Sequence, residues 1–365
     1  MTDAVQDEAT LKANLEDAAN EHGEPHWFVD RRLAALDQLA TLPLPTAQGL
    51  TIDEWPLMPL DKIEWRRSDR DLAATIKPDD QQIQLVQLGQ KSIINSLPDD
   101  LDDQDVVLTD VFTALREHPQ LIERRFMSKM IPSTTNRLTS YHLAYLSSGI
   151  FLYMPKDVKI DQPIDIELIQ DSTRPQPLVS HVFVVAESGS QCQLTIRLAT
   201  KGDTANTANL LVEVMARADS HLDITAIDAL GANTTSYIKR HAVVSRDATV
   251  NWHVCEISKG NTIAETTSDY AGSGAQSAII STAVTDQQQQ VAITTAVTDH
   301  GKLVGEGTLC GVQLGDSTLA SHGDLLPATA DTATLKKGLT APFAEASANV
   351  QQQICGAIAG RLSSN

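Results

Sequence analysis

AESGSQCQL (Ala186–Leu194), ARADSHLDI (Ala216–Ile224), SRDATVNWH (Ser245–His253), AGSGAQSAI (Ala271–Ile279) and TDHGKLVGE (Thr298–Glu306) are five tight polar turns, each set between β-type runs. With Gly189, Asp219, Asp247, Gly274 and Gly301 as anchors they return at steps of 30, 28, 27 and 27 residues. A near-constant step of this size means stacked units, each too small to bury its own apolar face. No helical pattern lies between the turns. The sequence therefore predicts a β-solenoid from about Gly149 to Gly323, with Ile224 and Ile279 facing inward.

The flanks read differently. Ala4–Ala19 and Trp27–Thr41 have helical spacing, separated by Glu24-Pro25. Residues 46–105 are mixed and polar, with Ile83–Leu88 a candidate strand and Pro98–Asp105 an acidic loop. Val106–Phe126 reads as one or two amphipathic helices interrupted at Pro119. Ile164–Ile169 alternates with period two, as a half-buried strand does. Leu335–Leu362 is Ala-rich and helix-like, interrupted by Gly338, Pro342, Gly356 and Gly360. Three segments result: a helical and mixed N-terminal domain over 1–130, a β-helix core over 140–325 and a helix-like segment over 326–365.

The 365 residues carry a net charge of −19, which argues against a nucleic-acid binder and against anionic membrane surfaces. No apolar run is long enough to span a bilayer, and the acidic N-terminus lacks the apolar core of a signal peptide. The expected location is the cytoplasm. Four dispersed cysteines (Cys192, Cys255, Cys310, Cys355) form no CxxC pair, so neither a disulfide framework nor a self-contained zinc site is expected.

Sequence motifs of catalysis are missing. There is no GxxxxGK[ST], no GxSxG and no HExxH, and Gly272-x-Gly274 lies between strands, where a turn glycine is the plain reading. A solenoid polysaccharide lyase or hydrolase needs converging carboxylates. Here Asp219, Asp223, Asp228, Asp247, Asp269, Asp286 and Asp299 read as single turn residues that cap backbone N–H groups. His253 and Cys255 share one face of a strand and could hold a soft metal; the plain alternative is a buried Cys beside a hydrogen-bonded His. Cys192 and Cys310 read as core residues, and His322 as a loop histidine.

Four stretches carry a resemblance in the right order. GEPHWFVDRRLAALDQLATLPLP (Gly23–Pro45), FTALREHPQLIERRF (Phe112–Phe126), LAYLSSGIFLYMPKDVKIDQPIDIELI (Leu143–Ile169) and HVFVVAESGSQCQL (His181–Leu194) resemble the SUF iron–sulfur cluster assembly scaffold family. The acidic helical N-terminal domain points to the D-type branch of that family rather than the B-type. The resemblance implies a mainly β fold: a right-handed parallel β-helix with a helical N-terminal domain and a short helical C-terminal end. It implies a non-enzymatic scaffold that pairs with a B-type paralogue and an ABC-type ATPase, with a cysteine desulfurase supplying sulfur indirectly and a homodimer as the form taken alone. No cofactor is expected on the isolated chain; a transient iron–sulfur cluster is expected in the complex. The C-terminus departs from the family and reads as atypical or shortened. Ser321-His322-Gly323 matches a Cys-Ser-His-Gly-Ala-like segment with Ala320 in place of the cysteine, or else an earlier strand and turn. His322 and, after it, Cys310 are the metal-ligand candidates of this chain.

Two other classes stay open at this stage. One is a β-helical carbohydrate-active enzyme, which a carboxylate-lined groove would support. The other is a self-assembling structural solenoid.

Overall fold

The computed structural model describes residues 8–47, 50, 55–57, 73–77, 79 and 82–363. Two sheets face each other and share one apolar interior. The first runs, in spatial order, β2 (Lys91–Ser96), β1 (Ile83–Leu88), β5 (Ile164–Ser172), β7 (Gln191–Gly202), β9 (His221–Ala229), β11 (Thr249–Glu256), β13 (Gln276–Thr285), β16 (Thr308–Gln313) and β18 (Asp324–Leu326). The second runs β3 (Val107–Asp110), β4 (Ser148–Met154), β6 (Leu178–Ala186), β8 (Asn206–Ala216), β10 (Thr234–Val244), β12 (Thr262–Tyr270), β14 (Gln290–Asp299) and β15 (Lys302–Gly305), with β17 (Thr318–Ser321) also pairing β14. The chain alternates between sheets, and pairing from β4 to β14 is parallel within each. This is a parallel β-solenoid of about six turns.

Register explains the core. Ile164 pairs with Leu194, Leu194 with Ile224, Ile224 with Trp252 and Trp252 with Ile279, so one inward column runs along the first sheet. Ile224 and Ile279 belong to the interior core, as their spacing predicts. Four of the turn anchors stack at one corner, where the chain passes from the second sheet to the first. Gly189, Asp219, Asp247 and Gly274 all have positive φ, and Gly189 N–H donates to Ala218 O, Asp219 N–H to Arg246 O and Asp247 N–H to Ser273 O. The fifth anchor differs. Gly301 lies in a hairpin that turns β15 back antiparallel on β14, so the corner column ends at Gly274.

Helices cover both outer faces. On the second sheet lie α1 (Glu8–His22), α2 (His26–Gln38), the short α3 (Asp99–Asp102) beside its edge, α4 (Val111–Glu117), α5 (Pro119–Ile122) and α6 (Arg137–Tyr145). Phe28, Phe126, Leu138 and Tyr141 from this layer pack with Phe151, Phe183, Leu211 and Tyr237 from the strands. Buried Arg32 bonds to Glu24 and donates to Ala144 O, tying α2 to α6. On the first sheet lie α7 (Thr332–Thr340) and α8 (Ala348–Ser363); Leu339, Ile354 and Ile358 from these helices and Phe343 from the turn between them pack on Ile227, Cys255, Val284 and Val312.

Several local readings change. Val106–Phe126 begins as strand β3, because Val107 and Leu108 pair with Tyr153 and Leu152; α4 starts only at Val111, where Asp110 accepts the Thr113 N–H at 3.0 Å as N-cap. Gly338, Gly356 and Gly360 lie inside helices, and the break falls at Pro342, in the 3-10 turn Ala341–Phe343. Pro98–Asp105 contains the helical turn α3. Asp228 is no turn residue: it is fully buried, with its carboxylate oxygens 2.5 and 2.7 Å from Arg240 Nη2. The first four residues of the Ala4–Ala19 helix and most of 46–82 lie outside the described residues.

Candidate functional site

The solenoid ends between β14 and β18, and both metal-ligand candidates lie there. After β14 the hairpin takes the second sheet outward to β15, and the first sheet closes on the three-residue β18. Each outermost strand leaves backbone groups without a sheet partner. Side chains there are apolar as well: Leu303 and Val304 on β15 are 62% and 57% exposed, and Leu325 on β18 is 50% exposed. An uncovered strand edge with apolar residues on it is an association surface.

Cys310 is in β16, paired in register with Thr282 on one side and Asp324 on the other. Its side chain is buried in the apolar layer under α7, with Sγ 3.6 Å from Gly338 O. Burial pushes its thiol pKa up, and Asp324 adds to the shift. His322 is exposed in the turn between β17 and β18. The following Gly323 stacks directly over Leu309, where an added Cβ would lie 2.6 Å from Leu309 O. The two candidates thus flank one corner of the last turn, one turned under the helices and the other outward. Among the described residues, no group of three or more His, Cys, Asp or Glu side chains is arranged to hold a metal ion.

His253 and Cys255 do share the outer face of β11, as the alternation requires, and both face the C-terminal helices: His253 packs 6.3 Å from the Phe343 ring, and Cys255 is fully buried in the same layer. Burial, then the Glu256 charge, drives the Cys255 thiol pKa well up. Cys192 points into the solenoid interior, its thiol pushed up to about 12 by burial and by Asp223.

Sequence reasoning missed that Cys255 and Cys310 share a layer. Cys255 pairs with Thr282, and Thr282 pairs with Cys310. The signal was present, since the two cysteines stand two steps of the repeat apart. A third cysteine, Cys355 on α8, lies half-buried near Cys255. Buried, protonated thiols are weak ligands and weak nucleophiles. Metal chemistry at Cys310 therefore requires α7 to move or a partner to reshape the layer.

A groove of about 900 Å³ separates α8 from the first sheet. Arg197, Lys259 and Arg361 line it beside Gly356 and Gly360. Neither helix glycine has any atom within 4 Å of an added Cβ, so the groove is open above both.

Comparison with known proteins gives this architecture a context. Residues 168–308 match the family model described as the SUF system FeS cluster assembly, SufBD core domain. The chain is 29% identical, over 79% of its length, to the iron-sulfur cluster assembly protein SufD of Bacillus subtilis, of which it spans 68%. It is 24% identical over 66% of its length to the iron-sulfur cluster assembly protein SufB of the same organism, and 22% identical over 65% to an iron-sulfur cluster assembly SufBD family protein of Staphylococcus saprophyticus. It spans 55% and 54% of those two.

Proposed function

This chain belongs to the SUF SufBD family, most like SufD, and we propose that it is a non-catalytic cytoplasmic scaffold subunit for iron–sulfur cluster assembly. In this reading the open end of the solenoid pairs with a B-type paralogue. The C-terminal helices, with the groove under α8, receive an ABC-type ATPase. The cluster is cargo, assembled between subunits from sulfur that a cysteine desulfurase supplies. The observation that carries the reading is the open end itself: the outermost edges of the two sheets bear exposed Leu303, Val304 and Leu325, in the same last turn that carries His322 and Cys310.

The chain's own residues do three things. Stacked turns make a stiff support. The strand edges offer backbone groups to a partner. His322 presents an imidazole at that end, and Cys310 holds a thiol in reserve under α7. A stable cluster generally takes four ligands, and one exposed histidine with one buried cysteine falls short, so the remainder comes from the partner.

The test is anaerobic reconstitution with and without the B-type paralogue, then with His322→Ala. The expected result is little iron and sulfide on the isolated chain, a cluster on the pair, and most of it lost in His322→Ala. The isolated chain should also show no ATP hydrolysis. A stoichiometric cluster on the chain alone overturns the shared site. Full assembly by His322→Ala removes His322 and leaves Cys310.

A further inference from the structure

A chain of four buried polar side chains joins the N-terminal helices to the second sheet. Asn209 on β8 donates from Nδ2 to Leu138 O at 2.9 Å, which fixes Oδ1 as the acceptor facing His142 Nδ1 at 3.0 Å. His142 Nδ1 must then carry a proton. In the neutral ring its Nε2 is a lone pair, and this faces His181 Nδ1 at 3.1 Å. His181 Nδ1 must therefore carry a proton, leaving an unprotonated Nε2 that stands 3.3 Å from Glu213 Oε2, in contact but outside hydrogen-bond alignment. Glu213 Oε2 and Oε1 also accept the Met127 and Ile131 N–H groups at 2.7 and 2.9 Å. A buried carboxylate this close to an unprotonated imidazole nitrogen is repelled, whereas a neutral carboxyl is not. With two neutral imidazoles, the geometry calls for a protonated Glu213.

All three titratable members are fully buried. The other charged groups facing them are few. Arg31 of α2, which donates to Phe126 O and Met127 O at 2.8 Å, acts on Glu213 and on His181. His241 of β10 acts on Glu213, and is itself influenced by Lys239 and Asp269. Phe126 covers His181 with ring centroids 4.2 Å apart.

We propose that Glu213, His181, His142 and Asn209 form an acid-releasable latch between the helical layer and the solenoid, with the Glu213 proton moderating how steeply it opens. Closed, the latch holds Phe126–Tyr145 against β6 and β8. Opening hydrates both histidines and Glu213, while His241 stays in its strand.

The proton count gives the sign. Burial, aided by the neighbouring His181, keeps His142 neutral far below the usual range. Burial, with Arg31, brings His181 down to about 3. Burial, opposed by the two backbone N–H bonds, lifts Glu213 to about 7. Between roughly pH 4.5 and 6.5 the open form takes up two protons on its histidines and gives up one from Glu213. The net uptake is one, so acidification opens the latch. From about 6.5 to 7 only the Glu213 difference remains, and opening rises slightly with pH. Above that it is flat. The latch is tightest near pH 6.5.

The experiment is amide hydrogen exchange of Met127 and Ile131 in the full chain from pH 4.5 to 8, corrected for intrinsic rates. In the wild type the opening constant should rise about tenfold per pH unit below 6.5. In Glu213→Gln, which releases no proton, it should rise about a hundredfold per unit. In His142→Gln it should be nearly flat. Infrared spectra of the wild type at pH 6 should show a protonated carboxyl band that Glu213→Gln removes in part, buried Glu256 supplying the rest. Equal slopes in the wild type and Glu213→Gln, no pH dependence in the wild type, or an infrared band untouched by Glu213→Gln overturns the proposal. The infrared comparison and His142→Gln decide the matter if one variant's exchange cannot be followed.

Discussion

Asp228 and Arg240 put a buried charge pair inside the tube. Both are essentially unexposed, and Glu256 lies close by, its carboxyl pKa raised by burial and by Asp228. Removing one partner strands the other, which costs about 3–5 kcal/mol in buried pairs. Asp228→Ala should therefore unfold at clearly lower denaturant than the wild type, as followed by circular dichroism. Ile224→Asp, which places a lone carboxylate in the inward column, should cost a similar several kcal/mol. Unchanged unfolding of either variant would contradict the burial described. The two positions differ in how legible they were. Ile224 follows from the repeat and from strand alternation. Asp228 looked like a turn residue because its partner comes 12 positions later, on the opposite sheet. The hint was on β10, where Ile238, Arg240, Ala242 and Val244 alternate and so put Arg240 inside.

At the scale of elements, the corner column decides which glycines matter. Gly274 has φ +72°, and an added Cβ would lie 2.1 Å from Asp247 Oδ1 on the turn below. Gly274→Ala thus meets left-handed strain of roughly 1–2 kcal/mol and a clash in the stack. Gly356 on α8 is the opposite case: no neighbour lies within 4 Å, so Gly356→Ala gains helix propensity of up to about 1 kcal/mol. Thermal unfolding should fall for the first variant and rise or hold for the second; the reverse order would refute the assignment of corner and helix. The corner was readable because turn residues mark it at each step. The hairpin at Gly301 was not, since its sequence spacing continues the period while the chain reverses direction on β14. Nor was the covering of each outer face, which depends on where the terminal segments pack. The site followed the same division: Cys310 could be placed on a strand, but the apolar layer that buries it is built by α7 and α8, remote in sequence from the repeats.

At the scale of the whole molecule, one end of the solenoid is unfinished. Both sheets and both helical layers cover the middle turns, whereas Leu303, Val304 and Leu325 stay open to solvent at the last one. Two consequences separate this end from the core. Substitution at such largely exposed positions changes folding stability by no more than about 0.5 kcal/mol, because little is desolvated there on folding. If the end is the pairing surface, the same substitution buries a charge in the assembled interface, where central apolar anchors are worth about 2 kcal/mol or more, roughly thirtyfold in affinity. The double variant Leu303→Asp, Val304→Asp should therefore keep the thermal unfolding of the isolated chain while losing co-purification with the B-type paralogue and any self-association. Retained pairing would move the interface elsewhere, to the α8 groove first. A large drop in stability would mean that β15 already packs against this chain's own core, contrary to its exposure.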